Sequence, residues 1–332
     1  MKIIIIGYGS IGKRHHSVLQ KLLPNAQFHI ISSHFNGKLK NTIIYKNIKQ
    51  IKRINASIIV ISNTTEKHLD TAINLSNFPT KLFIEKPINN TLNKNKFFKL
   101  YKKTKKNKCA LFIGYNLRYL DSLNYFFSFI KKNTNIHKID IEVGSDIKFW
   151  RKNIDFKKSV SVNKKYGGGV LLELSHEIDF IIYYLGFPKS VSSYIFNTTK
   201  YNIDVEDNAY ILMLYNNKFF NFPISFKLDF VRKDTVRKIS VFTNKSSLKL
   251  DLNKSIIYKF DNKNSWNIYK KFEKNISNTY EIMWKKILRS KGNQNSNKDF
   301  INYQYNLIKL LENIRESSKN KKFVKFKKEN II

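Results

Sequence analysis

The chain has 332 residues, 42% of them hydrophobic, and carries a formal net charge of +37. That length and apolar content exclude a disordered chain and allow two domains with substantial cores. A single cysteine, Cys109, excludes an internal disulfide, and no apolar run approaches the ~20 residues of a membrane helix, so a soluble cytoplasmic protein without a membrane partner is expected. Strongly basic chains often bind polyanions. Here the excess is lysine spread among asparagine and isoleucine from end to end, and the densest runs, "YKKTKKNK" (101–108) and "NKKFVKFKK" (320–328), do not interleave aromatics with arginines as a base-stacking platform would. No specific nucleic-acid partner is expected, and polyanion binding stands as a non-enzymatic alternative.

In chain order, "KIIIIG" reads as a buried strand and "GKRHHSVLQKLL" as the helix after it, stopped by Pro24-Asn25. "QFHIISS" and "NASIIVISN" are strands, "TEKHLDTAINLSN" a helix, "TKLFIEKP" a strand, "LNKNKFFKLYKKTKKNK" a helix and "CALFIGYN" a strand. Strand–helix alternation with unbroken apolar strands predicts a doubly wound parallel sheet covered on both faces.

Beyond residue 120 the strands lengthen and alternate in polarity: "KIDIEVGSDI", "SVSSYIFNTT", "NAYILMLYNN", "FFNFPISFKLDF" and "KISVFTNKSSLKLD". One helical stretch, "LLELSHEIDFIIYYLG", interrupts them, and "FINYQYNLIKLLENIRESS" follows a polar segment as the last helix. The tail alternates like an edge strand. A second domain on a large, mostly antiparallel sheet with helices on one side is expected. The predicted division is 1–118 and 119–332.

The corner between the first strand and helix carries G-x-G-x-x-G at Gly7, Gly9 and Gly12. The first glycine permits the turn, the second lets a pyrophosphate approach the backbone at Ser10 and Ile11, and the third lets helix pack on strand. The second strand ends in Ser32, Ser33 and His34, without the carboxylate that would grip the ribose of NAD and repel a 2'-phosphate. Either NAD or NADP fits, with a slight preference for NADP.

Ligands of open parallel sheets bind outside the carboxyl ends of strands. Asn63, Thr64 and the Glu85-Lys86-Pro87 sequence lie at such ends. Farther on, three glycines precede a helix in which His176 and Asp179 are three residues apart and share a face, with Glu173 nearby. No metal-ligand spacing stands out. Arg118, Arg151, Arg232 and Arg237 are few among many lysines, and a guanidinium grips carboxylate or phosphate bidentately. An acidic substrate and structural salt bridges are equal readings of them.

"GYGSIGKRHH", "ISNTTEKH", "FIEKP", "GYNLRY" and "GGGVLLELSHEIDF" occur in the order and at the distances of the Gfo/Idh/MocA oxidoreductases, which the chain resembles from Met1 to about Ser317. The resemblance implies a Rossmann domain followed by an α/β domain whose open sheet forms a homodimer or homotetramer. It implies hydride transfer between NAD(P) and a hydroxyl carbon of a sugar, nucleotide sugar or inositol-like polyol. Lys86 would contact both nicotinamide ribose and the reacting hydroxyl, Lys86-Pro87 would be cis, and His176 would be the acid/base. His68, Glu85 and Asn116 would join the cofactor-binding set. Arg118, Trp150, Arg151, Glu173 and Asp179 would face substrate. Trp150-Arg151 and the short segment before His176 resemble members tied to cell-surface sugar biosynthesis. One departure stands out: the family's aspartate four residues before the histidine is Leu172 here, with Glu173 a residue later. A catalytically inactive dinucleotide-binding sensor of the same fold is the alternative function.

Overall fold

A computed structural model describes residues 1–51, 53–132, 135–150, 155–198, 200–216, 220–260, 264–273, 276–290 and 294–332. The chain divides into two compact units: residues 1–115 with 280–308 and 329–332, and residues 116–279 with 309–328. The predicted division at 118/119 does not include the return of 280–308 and 329–332 to the first unit.

The first unit begins with β1 (Lys2–Ile6), α1 (Ser10–Leu22), β2 (Gln27–Ile31), β3 (Thr42–Tyr45), β4 (Ile58–Ile61), α2 (His68–Leu75), β5 (Lys81–Ile84), α3 (Lys94–Lys106) and β6 (Ala110–Ile113). All six strands are parallel, in the order β3-β2-β1-β4-β5-β6. This doubly wound order brings the carboxyl ends of β1, β4 and β5 side by side. Ile3, Ile4, Ile5 and Ile6 are all buried, as a strand covered on both faces requires. Each such side chain contributes about 1.5–3 kcal/mol through burial. In α3, the Asn93 side chain accepts from the Lys96 amide at the start and Lys103, Lys105 and Lys106 complement the dipole at the end.

The second unit contains α4 (Asp121–Lys132), β7 (Ile136–Gly144), α5 (Val170–Glu173), α6 (Ser175–Leu185), β8 (Ser190–Phe196), β9 (Asn208–Leu214), β10 (Pro223–Asp229), β11 (Val236–Thr243), β12 (Ser247–Asp251), β13 (Ile256–Phe260) and β14 (Trp266–Lys271). They are followed by α7 (Thr279–Arg289), α8 (Gln294–Asn320) and β15 (Val324–Lys325). The nine-stranded sheet runs β14-β13-β12-β11-β7-β10-β9-β8-β15 and is antiparallel except between β7 and β10. Inward residues alternate along it: Ile139, Ile141 and Val143 on β7, and Ile224, Phe226 and Leu228 on β10. The opposite face carries Tyr194 and Tyr210, directly paired across β8 and β9 and exposed.

Several elements differ from expectation. "KISVFTNKSSLKLD" is two strands, because the Thr243 hydroxyl and Ser246 close a turn between β11 and β12. β3, α4, α7, β13 and β14 were not foreseen, and the last helix starts at Gln294, inside the segment expected to be polar loop. Among the described residues no helix is long and apolar enough to cross a membrane.

Three histidines of the first unit, His16, His29 and His68, are buried, and desolvation holds each below the usual histidine pKa. For His29 the Lys2 charge adds to the effect; for His68, carbonyl and carboxylate neighbours oppose it. The native state resists taking up their protons, whereas the unfolded chain binds them near pH 6.5. Stability contributed by the neutral rings is therefore complete above about pH 6.5 and declines as pH falls below it. The thermal midpoint should drop between about pH 7 and pH 5, measured by circular dichroism; a flat or rising midpoint would refute the linkage.

Candidate active site

The glycine corner has the shape that a bound pyrophosphate needs. Gly7 adopts φ +87°, and a Cβ there would lie 2.5 Å from the Ser62 carbonyl oxygen. A Cβ on Gly12 would lie 2.0 Å from the Gly7 oxygen. Both positions are closed to any side chain. Gly9 is the opposite case: a Cβ there meets nothing within 4 Å, so open space lies at the N-terminus of α1. The first-turn amides of Ser10, Ile11 and Gly12 have no carbonyl earlier in the helix to bond, which suits them to an anion. The Ser62 hydroxyl donates to Ile6 and Gly7 oxygens and ties the corner to β4.

Past β2, Ser32 Oγ accepts from the Phe35 amide at 3.1 Å, so Ser32 closes the turn, while Ser33 and His34 are exposed. Tyr8, which sequence reasoning passed over, bonds His16 Nδ1 at 2.7 Å and packs edge-on to Phe35. The Lys13 ammonium lies 6.0 and 5.7 Å from the centroids of those two rings. No local pattern announced this group, because Phe35 reaches Tyr8 only through the pairing of β1 with β2.

At the end of β4, Asn63 donates to Thr71 Oγ1 and Thr64 donates to Glu66. His68 lies wholly buried between two carbonyls, with Nδ1 2.8 Å from Pro87 O and Nε2 3.0 Å from Asn63 O. It clamps the ends of β4 and β5 together. The neutral ring donates one of these bonds. Glu85 is buried, Lys86 is half-buried, and Lys86-Pro87 is cis. The Glu85 carboxylate takes His15 Nε2 at 2.7 Å and the Lys86 amide at 3.1 Å.

In the second unit, α5 ends at Glu173 and α6 begins at Ser175, with His176 in its first turn and half-buried. Leu172, four residues before His176, is buried in the core. Glu173 is half-buried. The two carboxylates after the histidine are engaged: Asp179 takes a two-pronged grip from Arg118, whose guanidinium lies over the Tyr183 ring at 4.6 Å, and Glu177 accepts from Arg237 Nε at 2.8 Å. Arg232 pairs with Glu142 and Asp234. Asn116 is buried and donates to Thr279 Oγ1 at 2.6 Å. Trp150 donates to Ser145 Oγ at 2.6 Å, with its ring on Phe230; Arg151 lies outside the described residues.

Sequence reasoning also missed Glu206. Its carboxylate packs where a Cβ on Gly169 would stand, and burial pushes its pKa up. It comes from the loop before β9, some distance along the chain from the Gly169 it faces, so spacing could not reveal it.

The six-stranded order with a glycine corner at β1 defines a Rossmann domain, followed by a domain on an open antiparallel sheet. Residues 1–115 match the model of an oxidoreductase family with an NAD-binding Rossmann fold, and residues 141–249 match the GFO/IDH/MocA C-terminal domain. Between them the matches span more than half of the chain, which belongs to the Gfo/Idh/MocA family. Similar solved structures include levoglucosan dehydrogenase with NADH (TM-score 0.78, 13% identity, 99% of this chain and 100% of that one). The myo-inositol 2-dehydrogenase of Lactobacillus plantarum scores 0.76 at 16% identity over 98% and 99%. The WlbA dehydrogenase of Bordetella pertussis, with NADH and UDP-GlcNAcA, scores 0.72 at 15% over 98% of each chain. At these identities the likeness is one of fold. No curated protein matches the chain significantly.

If Arg118 and Asp179 form a structural pair, Asp179→Asn leaves a guanidinium without its buried counter-charge, at a cost of about 3 kcal/mol. Urea unfolding should register that loss; unchanged stability would assign the pair to ligand binding instead.

Proposed function

We propose that the chain is an NAD(P)-dependent oxidoreductase that transfers a hydride between the nicotinamide and a hydroxyl carbon of a sugar or polyol. The observation that carries this reading is Lys86 at the carboxyl end of β5, on the sheet whose β1 ends in the glycine corner. Ser10, Ile11 and Gly12 amides would hold the pyrophosphate, and Asn63 and Thr64, with their side chains tied back, would present backbone at the end of β4. When bound, the dinucleotide supplies the carbon that accepts or returns the hydride.

The chain's own groups manage the proton and the charge. As the carbinol C–H pair leaves as hydride, the hydroxyl proton passes to the His176 imidazole and a carbonyl forms. The Lys86 ammonium stabilises the negative charge developing on oxygen. The reverse reaction returns the proton from His176 to that oxygen. Carboxylate partners for Arg118, Arg232 and Arg237 favour the salt-bridge reading of these arginines, and so a neutral sugar or polyol over an acidic one. The dehydrogenases with levoglucosan and myo-inositol in their names support the same class. A nucleotide sugar, which is anionic, with a role in cell-surface sugar biosynthesis, is the competing variant suggested by the WlbA likeness. The exposed aromatics of the nine-stranded sheet support a homodimer or homotetramer.

With NAD and NADP offered against neutral sugars, inositols and UDP-sugars, turnover with at least one is expected. His176→Ala should then reduce turnover about 10^2-fold or more while leaving dinucleotide affinity within about 2-fold. Binding without turnover of any substrate would favour the sensor reading. The absence of a carboxylate after β2 supports binding of NADP as well as NAD. Ser33→Asp should weaken NADPH binding at least tenfold more than NADH binding, followed by nucleotide fluorescence; equal loss of both would contradict it.

A further inference from the structure

Side chains from segments far apart in sequence meet at the carboxylate that bonds the Lys86 amide. The His15 ring is fully buried and boxed edge-on by Phe83, Tyr280 and Trp284, at centroid distances of 4.9, 5.5 and 5.6 Å. The buried Trp284 indole points Nε1 at His15 Nδ1, 2.9 Å away. An indole nitrogen only donates, so Nδ1 must be the lone-pair nitrogen and the ring proton must sit on Nε2. Nε2 then donates to Glu85 Oε1 at 2.7 Å, and Glu85 Oε2 accepts the Lys86 amide at 3.1 Å. The far side of the same carboxylate is walled by Gly114, where a Cβ would stand 2.6–2.8 Å from the carboxylate atoms.

The bonds run in one direction only: indole to imidazole, imidazole to carboxylate. If the ring proton moved to Nδ1, it would face the indole hydrogen, and Nε2 would turn a lone pair toward a carboxylate. Two contacts would become repulsive together. We infer that Trp284 locks His15 in the Nε2–H tautomer, and that His15 is thereby a positioning residue that aims Lys86 through Glu85. This rests on the reading of Lys86 as the group that meets the reacting hydroxyl. It also accounts for what α7 contributes to the first unit: besides apolar area, it brings a donor that fixes the imidazole.

The test uses the full chain with histidine and lysine labelled with nitrogen-15, in wild type, Trp284→Phe, His15→Gln and His15→Leu. Ring nitrogen spectra should report Nε2–H in wild type and a mixture of tautomers in Trp284→Phe, which keeps the aromatic packing. Exchange of the Lys86 amide with solvent should quicken at least tenfold in Trp284→Phe and His15→Leu. In His15→Gln, whose amide nitrogen can still donate to Glu85, it should stay close to wild type. On any substrate the panel yields, kcat should follow the same order while dinucleotide affinity stays constant. An Nδ1–H tautomer in wild type would overturn the inference. So would equal exchange in all four proteins, or losses in His15→Gln matching those in His15→Leu, since a packing role alone predicts no rescue. Should Lys86→Ala leave turnover intact, the role given to Lys86 fails by itself, and amide exchange still decides the link from His15 to Lys86.

Discussion

Much of the first unit turns on one buried carboxylate. Glu85 is buried at the end of a mostly apolar strand, and an acid in that setting is tolerated only when its oxygens are satisfied. One oxygen is satisfied by a side chain from α1, the other by the backbone of the residue it precedes, and a glycine after β6 makes the room. Three segments that could each have packed in other ways are thus constrained to a single arrangement. The lysine that follows inherits its position from that arrangement.

The second unit meets an analogous problem differently. Its α6 carries Glu177 and Asp179 almost wholly buried, and each is answered by an arginine from another element, Arg237 on β11 and Arg118 before α4. Breaking such pairs is costly although forming them contributes little net stability, so they specify orientation more than they stabilise. Held on two sides, the first turn of α6 offers His176 on a rigid base. Leu172, shortly before it, is buried, and Glu206, from elsewhere in the chain, brings a carboxylate against Gly169.

Legibility followed burial. Strands β1, β2, β4, β5 and β6 could be read because strands covered on both faces are unbroken apolar runs, and α1, α2 and α3 because their apolar residues recur at helical spacing. β3 escaped because "TIIY" is short and only half-buried, and β14 because every residue in it is exposed and so no burial pattern marks it. The aromatics of α4 suit a strand as well as a helix. Within the site, the glycines and the Glu85-Lys86-Pro87 sequence are local patterns and were visible. The bonds from His15 to Glu85 and Trp284 span 70 and 269 residues, and Arg118 to Asp179 spans 61, distances at which one sequence carries no pairing signal.

The account stands on hydride moving directly between a sugar-type carbon and the nicotinamide, with His176 and Lys86 managing the proton and charge. A substrate bearing deuterium on the reacting carbon tests this most directly, by mass spectrometry of the recovered dinucleotide. The account predicts deuterium on the reduced nicotinamide, a slower turnover than with the protiated substrate, and the same label formed about 10^2-fold more slowly in His176→Ala. Dinucleotide recovered without label, from a protein that binds it and has consumed the sugar, would contradict it.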